Sequence, residues 1–206
     1  MAKEDQPQLP AEPTLDEILS LARMSAFVGL RDESKLAAEI ELALKQGISI
    51  LYIREAILQT YLFAGYPAAI NAFIILNELT GTHSDFLREE KSSFEEWKER
   101  GETLSRKIYG GQFEKLMENM NRVHPDLADW MIQEGYGKVL ARPFLSPRVR
   151  ELLIVGMTAV LNVERQFHSH VRGAIHVGAT KPEIKRVLDE VGAADRYKNL
   201  AETLIA

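Results

Sequence analysis

Residues 146–178, SPRVRELLIVGMTAVLNVERQFHSHVRGAIHVG, contain the start and stop signals of two consecutive helices. Ser146-Pro147 opens an apolar run that reaches about Leu161, because serine caps helix starts and proline suits the first helical turn. A second run covers residues 163–176, and Gly178 ends it in the left-handed conformation that glycine adopts without strain. Since the joining turn is very short, the two helices are expected to pack antiparallel.

Helix signals of the same kind recur along the rest of the chain. Capping boxes begin at Thr14 and Thr180, each with a glutamate three residues later. Gly47 and Gly65 are placed to end further helical runs, and Pro67 follows in a first helical turn. No sustained two-residue alternation bounded by turn residues is found, so no strand is predicted. The expected fold class is all-α.

The composition is that of an ordinary globular chain and excludes several functions. The 206 residues include 25 Lys and Arg against 30 Asp and Glu, a net charge of −5, and a nucleic-acid binder would normally carry a basic stripe instead. There is no cysteine. Disulfides, thiolate metal sites, cysteine nucleophiles and thiol redox chemistry are therefore excluded.

The N-terminus does not resemble a signal peptide, and one uncharged internal segment needs to be compared with a membrane span. Residues 1–13 are charged and proline-rich without an apolar segment, which predicts a flexible N-terminal arm. Residues 56–77 carry no charge, but Gly65-Tyr66-Pro67 interrupts them, so two short buried helices explain them better than a membrane span. We expect a cytoplasmic protein that binds neither membrane nor nucleic acid.

An internal repeat divides the chain. Residues 24–28 correspond to 157–161, and after a two-residue change of register eight further positions correspond. These pairs are Ile40/Val171, Ala43/Ala174, Leu44/Ile175, Gly47/Gly178, Ser49/Thr180, Ile53/Ile184, Arg54/Lys185 and Ile57/Leu188. We therefore predict a first, degenerate repeat over residues 14–84, a charged connecting helix over 85–110, read as solvated, and a second repeat over 111–206.

The second repeat carries a candidate acid–base pair that the first repeat lacks. His170 lies on the apolar stripe of its helix, and Glu151 lies in the first turn of the apolar helix before it. The corresponding positions in the first repeat hold Glu39 and Ile18. A histidine on a buried face can exchange a proton near neutral pH, and a carboxylate there is costly unless it is paired. Antiparallel packing would let the two approach each other.

Structural explanations remain open for each of these residues. The histidine could be a hydrogen-bonded core residue, and the glutamate could simply favour the helix N-terminus. Glu164 and His168, four residues apart, could face a metal together, but no third ligand is apparent. Arginines around these helices could bind a small carboxylate or could be surface residues; they are Arg142, Arg148, Arg150 and Arg172.

From Arg100 onward the chain resembles the γ-carboxymuconolactone decarboxylase family. The matching blocks are residues 99–101, 136–145, Arg150, 170–174, 178–180 and 183–184. In the first repeat, residues 61–69 (YLFAGYPAA) look like the final helix-turn-helix of that family. The resemblance implies an alkyl hydroperoxidase D-like helical bundle and a homo-oligomer, a trimer or hexamer.

The wider superfamily includes thiol peroxidases in which a glutamate, a Cys-x-x-Cys pair and a histidine lie along two consecutive helices. Glu151 and His170 match the glutamate and the histidine, whereas the cysteine positions hold Val163 and Gln166. Peroxidase chemistry of that type is therefore excluded, because the thiolate is its nucleophile.

The resemblance implies a lyase without cofactor or metal that acts on a small carboxylated lactone or a related intermediate of aromatic degradation. His170 would protonate carbon and Glu151 would tune or relay the proton, as catalytic residues. Arg142, Arg150 and Tyr136 would bind the substrate. The alternative is a non-catalytic or stress-related member that serves as an oligomeric scaffold or a small-ligand binder.

Overall fold

The computed structural model describes residues 11–81 and 92–205, and within these residues the chain forms helices and no strand. In chain order the helices are α1 (Leu15–Leu30), α2 (Glu33–Lys45), α3 (Ile50–Gln59), α4 (Tyr61–Ala64), α5 (Tyr66–Thr80), α6 (Phe94–Tyr109), a 3₁₀ turn (Gly110–Gln112), α7 (Phe113–Val123), α8 (Pro125–Trp130), a π-helix (Met131–Leu140), α9 (Pro147–Val160), α10 (Glu164–His176), α11 (Lys181–Glu190) and α12 (Asp195–Leu204). The expected all-α class is confirmed.

The helix ends follow the local signals in the sequence. Both predicted capping boxes form, at Thr14 with Glu17 and at Thr180 with Glu183. A third, not predicted, begins α6 at Ser93 with Glu96. These reciprocal hydrogen bonds satisfy backbone groups that a helix start would otherwise leave without partners.

Helices α1 and α9 lie side by side in the main core. Along α9 every residue from Val149 to Ala159 is buried, and Met24 of α1 and Met157 of α9 are both fully buried. The series α1–α2–α3 and α9–α10–α11 have the order that the predicted repeat requires. The repeat itself remains a prediction.

The last three residues of the predicted N-terminal arm contact the rest of the protein. Residues 1–10 lie outside the described residues, but residues 11–13 contact the body of the protein. Tyr52 donates a hydrogen bond to the carbonyl of Ala11, and Glu12 accepts one from Ser146. Ala11 and Glu12 are therefore held by hydrogen bonds, in contrast to the flexibility predicted for them.

The predicted connecting helix also differs from the expectation. Residues 82–91 lie outside the described part of the chain, and α6 starts only at Phe94. This helix is not a solvated linker throughout, because it buries Gly101, Leu104, Ser105 and Ile108. A charge-rich sequence still buries one face when its few apolar residues recur at helical spacing.

The uncharged segment forms α3, α4 and α5, with the break at Gly65 as predicted. Gly65 has a φ of +83°, a value that L-residues with a side chain rarely adopt. Unlike the expected buried helix, α5 exposes Tyr66, Ile70 and Ile74 on one face, each by more than half. Among the described residues no helix has the length and apolarity needed to span a membrane.

Candidate acid–base site

Glu151 and His170 meet inside the helical bundle. The distance between His170 Nδ1 and Glu151 Oε2 is 2.8 Å, and the two residues are 6% and 1% exposed respectively. A buried carboxylate is stable only with a partner, and the imidazole supplies one. The structure thus brings together the two residues that the sequence singled out as a catalytic pair.

The pair forms because α9 and α10 pack antiparallel with little space between them. Asn162 makes the turn with a φ of +65°, in the left-handed region that asparagine tolerates better than most residues. Gly173 lies where α10 passes the carboxylate. A Cβ at this position would lie 2.9 Å from Glu151 Oε2 and 2.7 Å from Ile108 Cγ2. The absence of a side chain there lets the carboxylate fit between the helices.

His170 keeps one ring nitrogen for other chemistry. Its Nδ1 is bound to Glu151, and in the described part of the chain no group is hydrogen-bonded to Nε2. The ring of Phe63 packs edge-on against the imidazole, with 5.5 Å between the ring centres. A carboxylate bound at one nitrogen orients an imidazole and stabilises its cation, so Nε2 is suited to exchange a proton.

Phe63 comes from α4, in the segment of the first half that resembles the family's final helix-turn-helix. The neighbouring Tyr61 and Tyr66 stack with ring centres 4.7 Å apart, and both donate hydrogen bonds to Glu134. This segment therefore forms one wall of the site in the second half. The segment was recognised from its sequence, but the contact of Phe63 with His170 was not predicted.

Tyr136, predicted to bind substrate, lies at the same site together with Tyr109. Their hydroxyls are hydrogen-bonded to each other, and their rings meet edge-on with centres 5.9 Å apart. Burial raises the pKa of both phenols. The charge of Glu151 raises both pKa values further, and for Tyr136 the neighbouring Tyr109 adds to this effect. Both hydroxyls therefore keep their protons at neutral pH.

Close packing of α6 on the π-helix brings the two tyrosines together. A Cβ on Gly101 would lie 2.0 Å from the carbonyl oxygen of Ile132, and one on Gly137 would lie 1.8 Å from that of Trp97. Arg100 also donates a hydrogen bond to the carbonyl of Gly137. The predicted block 99–101 thus contributes the backbone contact that positions Tyr136.

The two arginines expected to hold a substrate carboxylate instead bind a carboxylate of the protein. Arg142 donates to both oxygens of Glu55 at 2.8–3.0 Å, and Arg150 donates to Glu55 Oε2 at 2.7 Å. Arg150 also bonds to Gln59 at 3.3 Å. Arg150, Glu55 and Gln59 are almost completely buried. The arginines therefore form a buried ion-pair network with α3.

Three residues at or near the site were not predicted: Glu55, Tyr109 and Phe63. Glu55 could have been suspected from the sequence, because it is a charged residue among Tyr52, Ile53 and Ala56, which are buried in α3, and no charged residue follows it in that helix. No comparable signal identifies Tyr109, which ends a charge-rich helix.

The remaining candidates acquire no further ligands. In residues 11–81 and 92–205 no three His, Asp or Glu side chains are arranged to hold a metal ion, so no third ligand joins Glu164 and His168.

In the first half, Glu39 accepts hydrogen bonds from Ser20 at 2.6 Å and Arg23 at 2.8 Å. The position that corresponds to His170 is therefore part of an ion pair.

Part of the chain is similar to known proteins. Residues 125–205 match the model of the carboxymuconolactone decarboxylase family. Two curated relatives are both called peroxisomal protein 2. The one from Schizosaccharomyces pombe is 29% identical over 138 residues, which cover 64% of this chain and 63% of that protein. The one from Saccharomyces cerevisiae is 26% identical over 164 residues, which cover 65% of this chain and 57% of that protein.

The chain thus spans less than two thirds of the length of either relative. The segment that matches the family model contains Tyr136, Glu151 and His170. The model matches the blocks on which the resemblance in the sequence was based, from residue 136 onward. Residues 125–205 are therefore similar to the carboxymuconolactone decarboxylase family, which supports the resemblance seen in the sequence.

Proposed function

We propose that the protein is an enzyme that transfers a proton to or from carbon in a small organic acid, in the manner of a cofactor-free carboxy-lyase. The observation that carries this proposal is the buried Glu151–His170 pair, in which Nδ1 is bound and Nε2 is left for a substrate. A carboxylated lactone from aromatic degradation is the substrate class that the family suggests.

The proposed reaction begins with cleavage of the bond between the substrate carbon and its carboxylate. Carbon dioxide leaves, and the electron pair of the broken bond moves into the conjugated carbonyl to form an enolate. The imidazolium form of His170 then donates the proton on Nε2 to carbon, while Glu151 stabilises the imidazolium through Nδ1. Solvent returns one proton to His170, so the cycle consumes one proton and releases one CO₂.

The surroundings of the Glu151–His170 pair support decarboxylation through their low polarity, and not through the arginines that were expected to bind the substrate carboxylate. Since Arg142 and Arg150 bind Glu55, the substrate carboxylate would lie among apolar and phenolic walls, which include Phe63, Tyr136 and the neighbouring buried cluster. Loss of CO₂ removes a localised charge from those surroundings, so a water-poor site favours the step.

The test is turnover of a panel of carboxylated lactones, including γ-carboxymuconolactone, followed by CO₂ release and by NMR of the product. His170→Ala should lower turnover at least about 100-fold, the usual contribution of a positioned acid or base. His168→Ala is the matched control, because that histidine lies on the same helix and is not bound to Glu151; it should retain activity. Full activity in His170→Ala with unchanged helical circular dichroism overturns the proposal.

A second candidate is a scaffold or small-ligand binder without catalysis. The pairing of Arg142 and Arg150 with Glu55 favours it, because it removes the expected anchors for a substrate carboxylate. The name of the two relatives gives a location and no reaction. This candidate predicts that the wild-type protein turns over no member of the lactone panel.

The cellular compartment and the oligomeric state of the protein can be tested in the same way. The relatives' name makes the peroxisome an alternative to the expected cytoplasm, and imaging of a tagged chain in its native cell decides between them. The exposed face of α5, formed by Tyr66, Ile70 and Ile74, supports the expected homo-oligomer, because such apolar patches are commonly interfaces. Light scattering of the purified protein distinguishes a trimer or hexamer from a monomer.

A further inference from the structure

The tyrosine pair beside Glu151 contains one hydrogen-bond donor more than its own contacts use. Each phenol carries one hydrogen and can also accept hydrogen bonds. In the bond between Tyr109 and Tyr136, one hydroxyl donates and the other accepts. Among the described residues neither hydroxyl makes a second hydrogen bond. One phenolic hydrogen of the pair is therefore available for another acceptor.

The available hydrogen lies in a place where a donor is effective. Tyr136 is 4% exposed, and the pair belongs to an apolar cluster that includes Ile108, Leu140 and Ile154. Hydrogen bonds gain strength in such surroundings, and a donor left without an acceptor is costly. In addition, the phenol that donates to its neighbour polarises the second hydroxyl and makes it a better donor.

The hydrogen also lies beside the proposed acid. A Cβ on Gly173 would lie 2.9 Å from Glu151 Oε2 and 2.7 Å from Cγ2 of Ile108, the residue before Tyr109, so the carboxylate and the start of the tyrosine cluster face the same point of α10. Glu151 also binds His170 directly. A small molecule at His170 Nε2 would therefore have an apolar wall at Phe63 and phenolic hydroxyls nearby. Negative charge that develops on a substrate oxygen would find its donor there.

We propose that Tyr109 and Tyr136 together form the oxyanion-binding donor of this site, with one phenol donating to a substrate oxygen and the other donating to that phenol. This inference rests on the proposed function. It narrows the substrate class to compounds in which negative charge moves onto the oxygen of a carbonyl group adjacent to the carbon that His170 protonates. Tyr109 is then a further residue of the site, supplied by α6. No proton is transferred in this interaction, so both tyrosines remain neutral throughout.

The experiment measures binding of phenolates, which carry their charge on one oxygen as an enolate does. We titrate the wild-type protein and the variants Tyr109→Phe and Tyr136→Phe with 4-nitrophenol and two less acidic phenols. Each titration is done at a pH above the pKa of the phenol, so that the phenolate is the species present. Removal of the donating phenol should weaken binding about 10- to 100-fold, as expected for a hydrogen bond to a charged group. Removal of the supporting phenol should weaken it by less, so the larger loss identifies the donor.

Tyr197→Phe is the matched control. That tyrosine is equally buried and its hydroxyl is hydrogen-bonded to Asn162 at 3.0 Å, but it packs against Phe167 rather than at the site. Its substitution should leave phenolate binding within about twofold. Circular dichroism of each variant shows whether the fold is retained.

Two results overturn the inference. In the first, the wild-type protein binds none of the three phenols. In the second, both site variants bind the phenols as well as Tyr197→Phe does, which would mean that the available phenolic hydrogen is donated to Glu151 or to a water molecule instead of to the ligand. These results are independent of the proposed function, because the measurement needs no turnover. Conversely, phenolate binding that depends on the tyrosines in a protein without lyase activity would support the donor pair and reject the reaction.

Discussion

Arg150 on α9 donates a hydrogen bond to Glu55 on α3 across 2.7 Å, and the two side chains are 1% and 4% exposed. The residues are 95 positions apart in the chain. This ion pair connects the first half of the protein to the helix turn that carries Glu151. It also explains why Arg150 is not available to a substrate in the way that the sequence suggested.

Loss of the carboxylate at Glu55 should be strongly destabilising. Glu55→Gln leaves the buried guanidinium of Arg150 without its carboxylate and weakens the contact with Arg142. Removal of one partner from a buried ion pair costs about 3–5 kcal/mol of unfolding free energy. Urea unfolding measures the loss. Glu41→Gln is the control, since its exposed pair with Lys45 at 3.7 Å should contribute less than about 1 kcal/mol. Similar small losses in both variants would contradict the prediction.

The fit of the carboxylate against α10 can be tested at Gly173. In Gly173→Ala the new methyl group would meet Ile108 Cγ2 at 2.7 Å and Glu151 Oε2 at 2.9 Å. We expect a loss of about 1–3 kcal/mol of stability, the usual cost of overpacking, and weaker activity because the Glu151–His170 bond is displaced. Gly135→Ala is the control, because nothing lies within 4 Å of its Cβ position. Equal stability of the two variants would show that α10 can move aside.

The contact between α6 and the π-helix should tolerate no side chain at Gly137. A Cβ there would lie 1.8 Å from the carbonyl oxygen of Trp97, and a backbone atom cannot rotate away as a side chain can. Gly137→Ala should therefore cost at least about 3 kcal/mol or prevent folding. Thermal unfolding followed by circular dichroism is the measurement. A melting temperature within a few degrees of that of Gly135→Ala would refute the prediction.

The tyrosine pair should make the protein sensitive to alkali. Burial and the charge of Glu151 raise the pKa of Tyr109 and Tyr136 above the value of about 10 for an unfolded tyrosine. The unfolded chain therefore loses these protons first as the pH rises, so stability is fully present below pH ~10 and falls above it. Each such group contributes a loss of about 1.4 kcal/mol per pH unit.

Denaturant unfolding between pH 8 and pH 11 measures this dependence. Tyr136→Phe should show a shallower loss of stability with pH than the wild-type protein, whatever its stability at neutral pH. Tyr66→Phe is the control, because this side chain is more than half exposed. A pH dependence in Tyr136→Phe identical to that of the wild type would contradict the assignment.

Much of the helical framework was predictable because its signals are local. The capping boxes at Thr14 and Thr180 each involve residues within one helical turn, and both form. The similarity to the family was also predictable, since residues 136–145 and 170–174 lie in the segment that matches the family model. The contact between Glu151 and His170 was left open, because two consecutive antiparallel helices permit it without requiring it. The burial of α6 was harder to predict from residues 85–110, because charged residues greatly outnumber the few apolar residues that this helix buries.

The all-α class, the lack of cysteine in this chain and the placement of one acid and one histidine on adjacent helices could be predicted from the sequence. The groups that those helices meet became apparent only from their packing. Arg142 and Arg150 bind Glu55, His170 packs against Phe63, and Tyr109 bonds to Tyr136. The physical reason is distance along the chain. Caps and helix stops depend on neighbours within about four residues, whereas these contacts join residues 27 to 107 positions apart and depend on how the helices pack.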